Sequence, residues 1–282
     1  MRQYAVAGVD GSDGGRRAAR WAAAEAGARG LALRLVTVVP PGLPRAPSTA
    51  GSTRRAEPVP GPAGVPRDIA LAHPDLEVDA REIAGEPSQV LPGAGQGAAL
   101  LVVGTRGAGG FDGPWLGSVA LAVAVRAPCP VALVPAPSPV RGRRHEVVVG
   151  VDARHPDEGA VGAAFEEAAS RGALLRAVHA WDLPAPGRGA AFGVLEEDRA
   201  EWEDQEVQLL DDALRGWREK YPQVSVLPDV RLFGAADALV RVSAGAELLV
   251  VGRGQPKAAR LRGVARAVAH RTPCPLLLAG RG

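Results

Sequence analysis

The residues best equipped for chemistry in this 282-residue chain are Gly104-Thr105-Arg106-Gly107, with Gly117-Ser118 following after nine residues. Glycines without Cβ let main chain approach an oxyanion, and a helix start offers unpaired N–H donors at a positive dipole end. The chemistry implied is recognition of a phosphate. The spacing does not fit Gly-x-x-x-x-Gly-Lys-Ser/Thr, and no Lys stands in the loop, so a Walker-type nucleotidase is disfavoured. Gly-rich turns after strands also occur where nothing binds, and the Ser118 hydroxyl at a helix start has the ordinary alternative role of N-cap. A second residue supports the phosphate reading. Asp10 ends the apolar run Tyr4–Val9, and the carboxyl edge of a parallel α/β sheet is where ligands collect.

The elements around these residues follow from pattern. Ala98–Val103 is a buried strand leading into the loop, and Val119–Val125 continues as a helix after it. The first half reads as strand 3–9, helix 14–29, strand 32–39, an irregular stretch, strand 76–83, a weak helix, strand 99–103, helix 118–126 and strand 131–134. Near-continuous Val, Leu and Ala in the strands, alternating with helices, predict an α/β, doubly wound parallel sheet covered on both faces. Pro40–Pro66 cannot sustain a helix, so only a short one over Arg67–Ala72 precedes the third strand. That proline-rich segment reads as a disordered surface loop, ahead of a lid. In the second half, Leu195–Lys220 predicts a long helix burying Trp202, Leu209, Leu210, Leu214 and Trp217, with its acidic residues on the wet face.

The chain repeats itself. Val6-Ala-Gly-Val-Asp10 recurs as Val148-Val-Gly-Val-Asp152, Leu101-Val-Val-Gly104 as Leu249-Val-Val-Gly252, and Ala127-Pro-Cys-Pro-Val131 as Thr272-Pro-Cys-Pro-Leu276; Leu33–Thr37 recurs loosely as Leu175–His179. A period near 140 residues is too long for a solenoid and fits two copies of one domain, 1–136 and 144–282, joined by a basic linker over 135–145. The duplication predicts an intrachain pseudo-dimer and leaves a further homodimer open. Formal charge is +2, all of it in residues 1–140, which is too little for a dedicated nucleic-acid binder. No signal core or membrane-length apolar run is present, so a soluble, cytoplasmic protein is expected. Cys129 and Cys274, each between prolines in equivalent places, read as buried small hydrophobes, and the five histidines as scattered residues without metal spacing.

These residues resemble the universal stress protein family, whose signature is Gly-x2-Gly-x9-Gly-Ser/Thr after the fourth strand with an Asp ending the first. Gly104, Gly107, Gly117, Ser118 and Asp10 match it without gaps, and the Pro-Cys-Pro before the last strand is also similar to members of the family. The likeness covers nearly the whole chain as two tandem domains, an arrangement similar to actinobacterial members. The resemblance implies five strands per domain in the order 3-2-1-4-5, and an adenine nucleotide at the carboxyl edge: ATP, with AMP or ADP as alternatives and Mg2+ accompanying ATP. It implies Asp10 beside adenine and ribose, main chain near Val38 against the base, Gly104, Arg106 and Gly107 around ribose and phosphates, and Gly117, Ser118 and Val119 on the outer phosphates. A regulatory role in stress response follows, with an unidentified protein partner, no catalytic residues, and slow ATP hydrolysis only as a side activity.

The second domain departs from that pattern. Gln255 stands where the second glycine belongs, the loop before Gly263 is shorter, and Val264 follows where a hydroxyl is expected; counting back from Pro-Cys-Pro instead aligns Arg262-Gly263 with Gly117-Ser118. Either alignment removes the hydroxyl. The residues after Asp152 become Ala153-Arg154, and Arg253, Lys257, Arg260 and Arg262 read as a solvated basic face. Nucleotide is therefore expected in the first domain, with the second degenerate. Two other classes stay open: a ligand-free scaffold that presents a partner surface, and a nucleotidyl-transfer enzyme, for which the loop offers only Arg106.

Overall fold

The computed structural model describes residues 3–39, 64–107, 116–136, 144–182, 196–254, 261 and 263–279. The proline-rich segment read as a loop or lid, the centres of the linker and glycine loop, and Gln255, Lys257, Arg260 and Arg262 lie outside these residues. The chain divides into two compact units, Met1–Ala136 and Pro137–Gly282.

In the first unit β1 (Tyr4–Gly8), α1 (Asp13–Ala28), β2 (Ala32–Val39), α2 (Val65–Ala72), β3 (Val78–Ala84), α3 (Pro87–Ala94), β4 (Leu100–Gly104), α4 (Ser118–Arg126) and β5 (Val131–Val134) follow in turn. Four parallel ladders set the order β3-β2-β1-β4-β5. β1 is central, so both its faces must be apolar, and Ala5, Val6 and Ala7 are fully buried. The helix packed on it buries a row of small residues, Ala18, Ala19, Ala22, Ala23 and Ala26, at helical spacing. That alanine face lets α1 lie close to the strands. The short helix before β3 starts at Val65 rather than Arg67, because Pro66 occupies the first turn, where its missing N–H has no intrahelical partner to lose.

The second unit repeats the plan with β6 (Glu146–Gly150), α5 (Glu158–Arg171), β7 (Leu174–Trp181), α6 (Glu196–Lys220), β8 (Val226–Leu232), α7 (Ala235–Val242), β9 (Leu248–Val251), α8 (Gly263–Arg271) and β10 (Leu276–Leu278). Its ladders, again parallel, give β8-β7-β6-β9-β10, which is the same 3-2-1-4-5 order. Both units are thus doubly wound α/β folds. Along α6, Leu210 and Leu214 are fully buried, while Trp202, Leu209 and Trp217 are half-buried. The acidic residues are not all on the wet face: Glu206 is 5% exposed and points inward. Trp217 and Tyr221 pack against Phe165 of α5, with ring centroids at 6.0 and 5.7 Å. Cys129 and Cys274 are buried, as expected of small apolar residues.

Candidate functional site

Asp10 lies two residues beyond the end of central β1, and β4, whose loop carries the glycines, is its neighbour. The Asp10 carboxylate accepts from Ser12 N at 3.0 Å and Ser12 Oγ at 2.5 Å. Ser12 Oγ in turn accepts from Gly15 N at 3.0 Å and caps α1. A Cβ placed at Gly107 would lie 2.5 Å from Asp10 Oδ2, and one at Gly15 would lie 2.6 Å from Oδ1. The carboxylate is therefore held between the α1 start and the glycine loop, as a fixed acceptor at the sheet edge.

The loop glycines allow backbone to meet backbone. A Cβ at Gly104 would stand 2.8 Å from the Gly14 carbonyl, and one at Gly14 would run into the Arg106 carbonyl. Gly14 and Gly15 were not among the residues singled out from the sequence. Their signal was available, since two glycines in the first turn of a helix cost about 1 kcal/mol each against alanine unless something requires them. The far end of the loop is tied back by Gly117 N donating to Thr105 O at 2.9 Å, and Thr105 N donates to Val134 O at 3.0 Å.

Gly117 is the N-cap of α4, with φ −62° and ψ 154°, and Ser118 is the first helical residue. This corrects the reading of Ser118 as the cap: no side chain caps this helix. Ser118 is exposed and Val119 half-buried, and N–H groups in a first helical turn have no intrahelical acceptor. With the Gly117 N–H engaged by Thr105, donors at this end fall to Ser118 and Val119. Arg106 is exposed, one residue before Gly107. Val38 lies near the end of β2. Val36 O accepts from Val9 N and Val39 O from Gly85 N, both at 2.9 Å, so strand alternation turns the Val38 N–H and C=O toward the β1 flank, past the last β1 pairing. The structure thus brings Asp10, Gly104, Arg106, Gly107, Gly117, Ser118 and Val119 to one sheet edge, with Val38 on the neighbouring strand end.

At the corresponding edge of the second unit lies a cavity of about 1320 Å³, and its chemistry is different. Asp157 caps α5, accepting from Ala160 N at 3.0 Å, where a neutral serine caps α1. Its carboxylate sits directly against Gly252, the counterpart of Gly104, at the root of the loop. Helix α8 begins at Gly263 and, like α4, has nine residues ending in Arg, so Gly263 stands where Ser118 does. The hydroxyl is absent, as the gap-free alignment predicts.

Sequence reasoning missed a triad in this unit, in which the exposed Arg154 reaches the buried Glu206 and His179. Arg154 Nη1 donates to Glu206 Oε2 at 2.6 Å, Arg154 Nη2 pairs with Oε1, and His179 Nε2 lies 2.9 Å from Oε2. The Arg154 guanidinium holds the Glu206 carboxyl below the usual carboxylate range, with His179 adding to the effect against the upward push of burial. The spacing of Trp202, Glu206, Leu210 and Leu214 already places Glu206 on the apolar stripe. Among the described residues no cluster of metal-ligating side chains occurs, and no helix is long and apolar enough to cross a membrane.

Comparison with known proteins accords with this architecture. The model of the universal stress protein family matches residues 1–135 and again 143–280. Universal stress protein Rv1996 of Mycobacterium tuberculosis is 34% identical, with 97% of this chain and 94% of that protein covered. Universal stress protein Rv2623 of the same organism is 31% identical over 97% and 95%. A crystal structure of a universal stress protein from Archaeoglobus fulgidus superposes with a TM-score of 0.65, at 16% identity, covering 99% of this chain and 96% of its own. That likeness concerns the fold.

Proposed function

The chain belongs to the universal stress protein family, and from that premise we propose that it is a regulatory, stress-response protein that binds an adenine nucleotide in its first unit. The observation that carries this reading is the convergence at one sheet edge of a fixed carboxylate, Asp10, with an exposed glycine loop and the open start of α4 at Ser118 and Val119. Asp10 would accept from the ribose hydroxyls or the base, and the outward-facing Val38 main chain would meet the adenine. The Gly104–Gly107 backbone and Arg106 would follow the phosphates, ending on the N–H groups of Ser118 and Val119 and the Ser118 hydroxyl. ATP is the proposed ligand ahead of ADP and AMP, with Mg2+ arriving on its phosphates. No nucleophile or general base is assigned, and the role is binding, with turnover at most a slow side activity.

A ligand-free scaffold is the second reading, and one observation favours it. The contacts among Asp10, Gly14, Gly15, Gly104 and Gly107 account for those residues by packing alone. Calorimetric titration of ATP into the intact chain separates the two. The nucleotide reading expects saturable binding that Asp10→Ala and Gly117→Val each weaken while circular dichroism shows the overall fold retained. Absence of binding by the wild type leaves the scaffold reading, and wild-type affinity in Gly117→Val overturns the assignment of nucleotide to this edge.

A further inference from the structure

We propose that the cavity of the second unit is a binding site for a small organic cation bearing an oxygen acceptor. This rests on the reading above, in which nucleotide occupies the first unit only. The cavity lies at the β6, β7 and β9 ends, between the starts of α5 and α8 and the inner face of α6. Among the described residues its walls carry the carboxylates of Asp152, Asp157, Glu158, Asp182 and Glu206 against the guanidiniums of Arg154 and Arg253. Arg154 is taken up by Glu206. Of the other acids, Asp157 accepts from a backbone N–H and Glu158 from the Trp217 indole at 2.9 Å. Asp182 is exposed at the rim, and Asp152, also exposed, accepts from Arg154 N at 3.1 Å and lies 3.7 Å from the exposed His155. Low-dielectric walls focus such a field, so this cavity repels phosphate and concentrates cations.

The aromatic lining points the same way. Trp181 and Trp202 both face the cavity, and indole is the best aromatic partner for a desolvated ammonium. Trp181 is 6% exposed, and its indole N–H has no acceptor among the described residues. A buried donor requires an acceptor, and an oxygen on the ligand would supply one here. Replacement of the Ser12 cap by Asp157, and of Ser118 by Gly263, converts the phosphate end of the first unit into a carboxylate-lined chamber.

The test uses the intact chain and choline as probe, followed by intrinsic tryptophan fluorescence, with sodium chloride added at matched ionic strength as control. Saturable binding with a dissociation constant below about 1 mM is expected, a modest affinity for a ligand of so few atoms. Asp152→Asn/Asp182→Asn, two exposed positions that leave the core untouched, weakens it about tenfold, and Trp202→Ala weakens it further while Trp202→Phe restores part. ATP binding is unchanged in all three. A linear response, or an affinity indifferent to the double Asn variant, overturns the cation site. If Gly117→Val abolishes ATP binding while choline fails to bind, only the cation site falls; if ATP persists in Gly117→Val and displaces choline, the nucleotide belongs here and both readings fall.

Discussion

At the scale of single residues, the distinction is between groups that hold the loops and groups left facing solvent. Asp10 does both: Oδ1 anchors Ser12, and the carboxylate packs on Gly107. Asp10→Ala is therefore predicted to weaken ATP binding and to loosen the α1 start, whereas Ser118→Ala, at an exposed hydroxyl that caps nothing, should weaken binding without changing the melting temperature. A lost hydrogen bond to a charged group is worth about 1.5–3 kcal/mol, so the Ser118→Ala affinity should fall by roughly ten- to hundredfold. Calorimetry paired with thermal melts separates the two effects. Glu206 makes a prediction about acid. Its carboxyl is held below the ordinary range by Arg154 and then His179, so its contribution is complete above the unfolded carboxylate pKa and disappears as pH falls through the lowered folded value. Glu206→Gln should cost about 1.5–3 kcal/mol in urea unfolding near neutral pH, and the gap from wild type should shrink on acidification below about pH 4. A gap that stays constant with pH would show that the Glu206 carboxyl is not held ionised as described.

At the scale of elements, glycine positions distinguish close packing from mere flexibility. A Cβ at Gly104 would meet the Gly14 backbone at 2.8 Å, whereas one at Gly27, near the end of α1, meets nothing within 4 Å. Gly104→Ala should lower the melting temperature, because neither backbone has room to yield. Gly27→Ala should raise stability by about 0.5–1 kcal/mol, since alanine is the better helix former and narrows the unfolded ensemble. Equal effects from the two would contradict the backbone crossing. Much of this level was legible from residue types. The strand–loop–helix order around Gly104, the placement of Asp10 and the long α6 follow from apolar runs and helical spacing, which local physics fixes. Contacts made at a distance were not legible. Gly14 against Gly104, and Glu206 of α6 against Arg154, join residues far apart in sequence, and only the folded sheet brings them together. The two-residue error at the start of α2 is local: Pro66 was read as a breaker, although the first turn of a helix tolerates it.

At the scale of the whole molecule, one fold was duplicated and the two copies kept their strand order while their edges diverged. The sequence discloses the duplication and the damaged second signature. It does not disclose that the second edge retains a cavity of about 1320 Å³, because cavities arise from packing of distant elements. The persistence of that cavity makes stoichiometry the decisive quantity: under the proposed reading its carboxylates and its lost hydroxyl disfavour nucleotide there. A crystal structure of the full chain grown with excess ATP measures this directly. One nucleotide per chain is expected, with its nucleoside beside Asp10 and Val38 and its outer phosphates on Ser118 and Val119. A nucleotide in the second unit, whether alone or alongside the first, would contradict it.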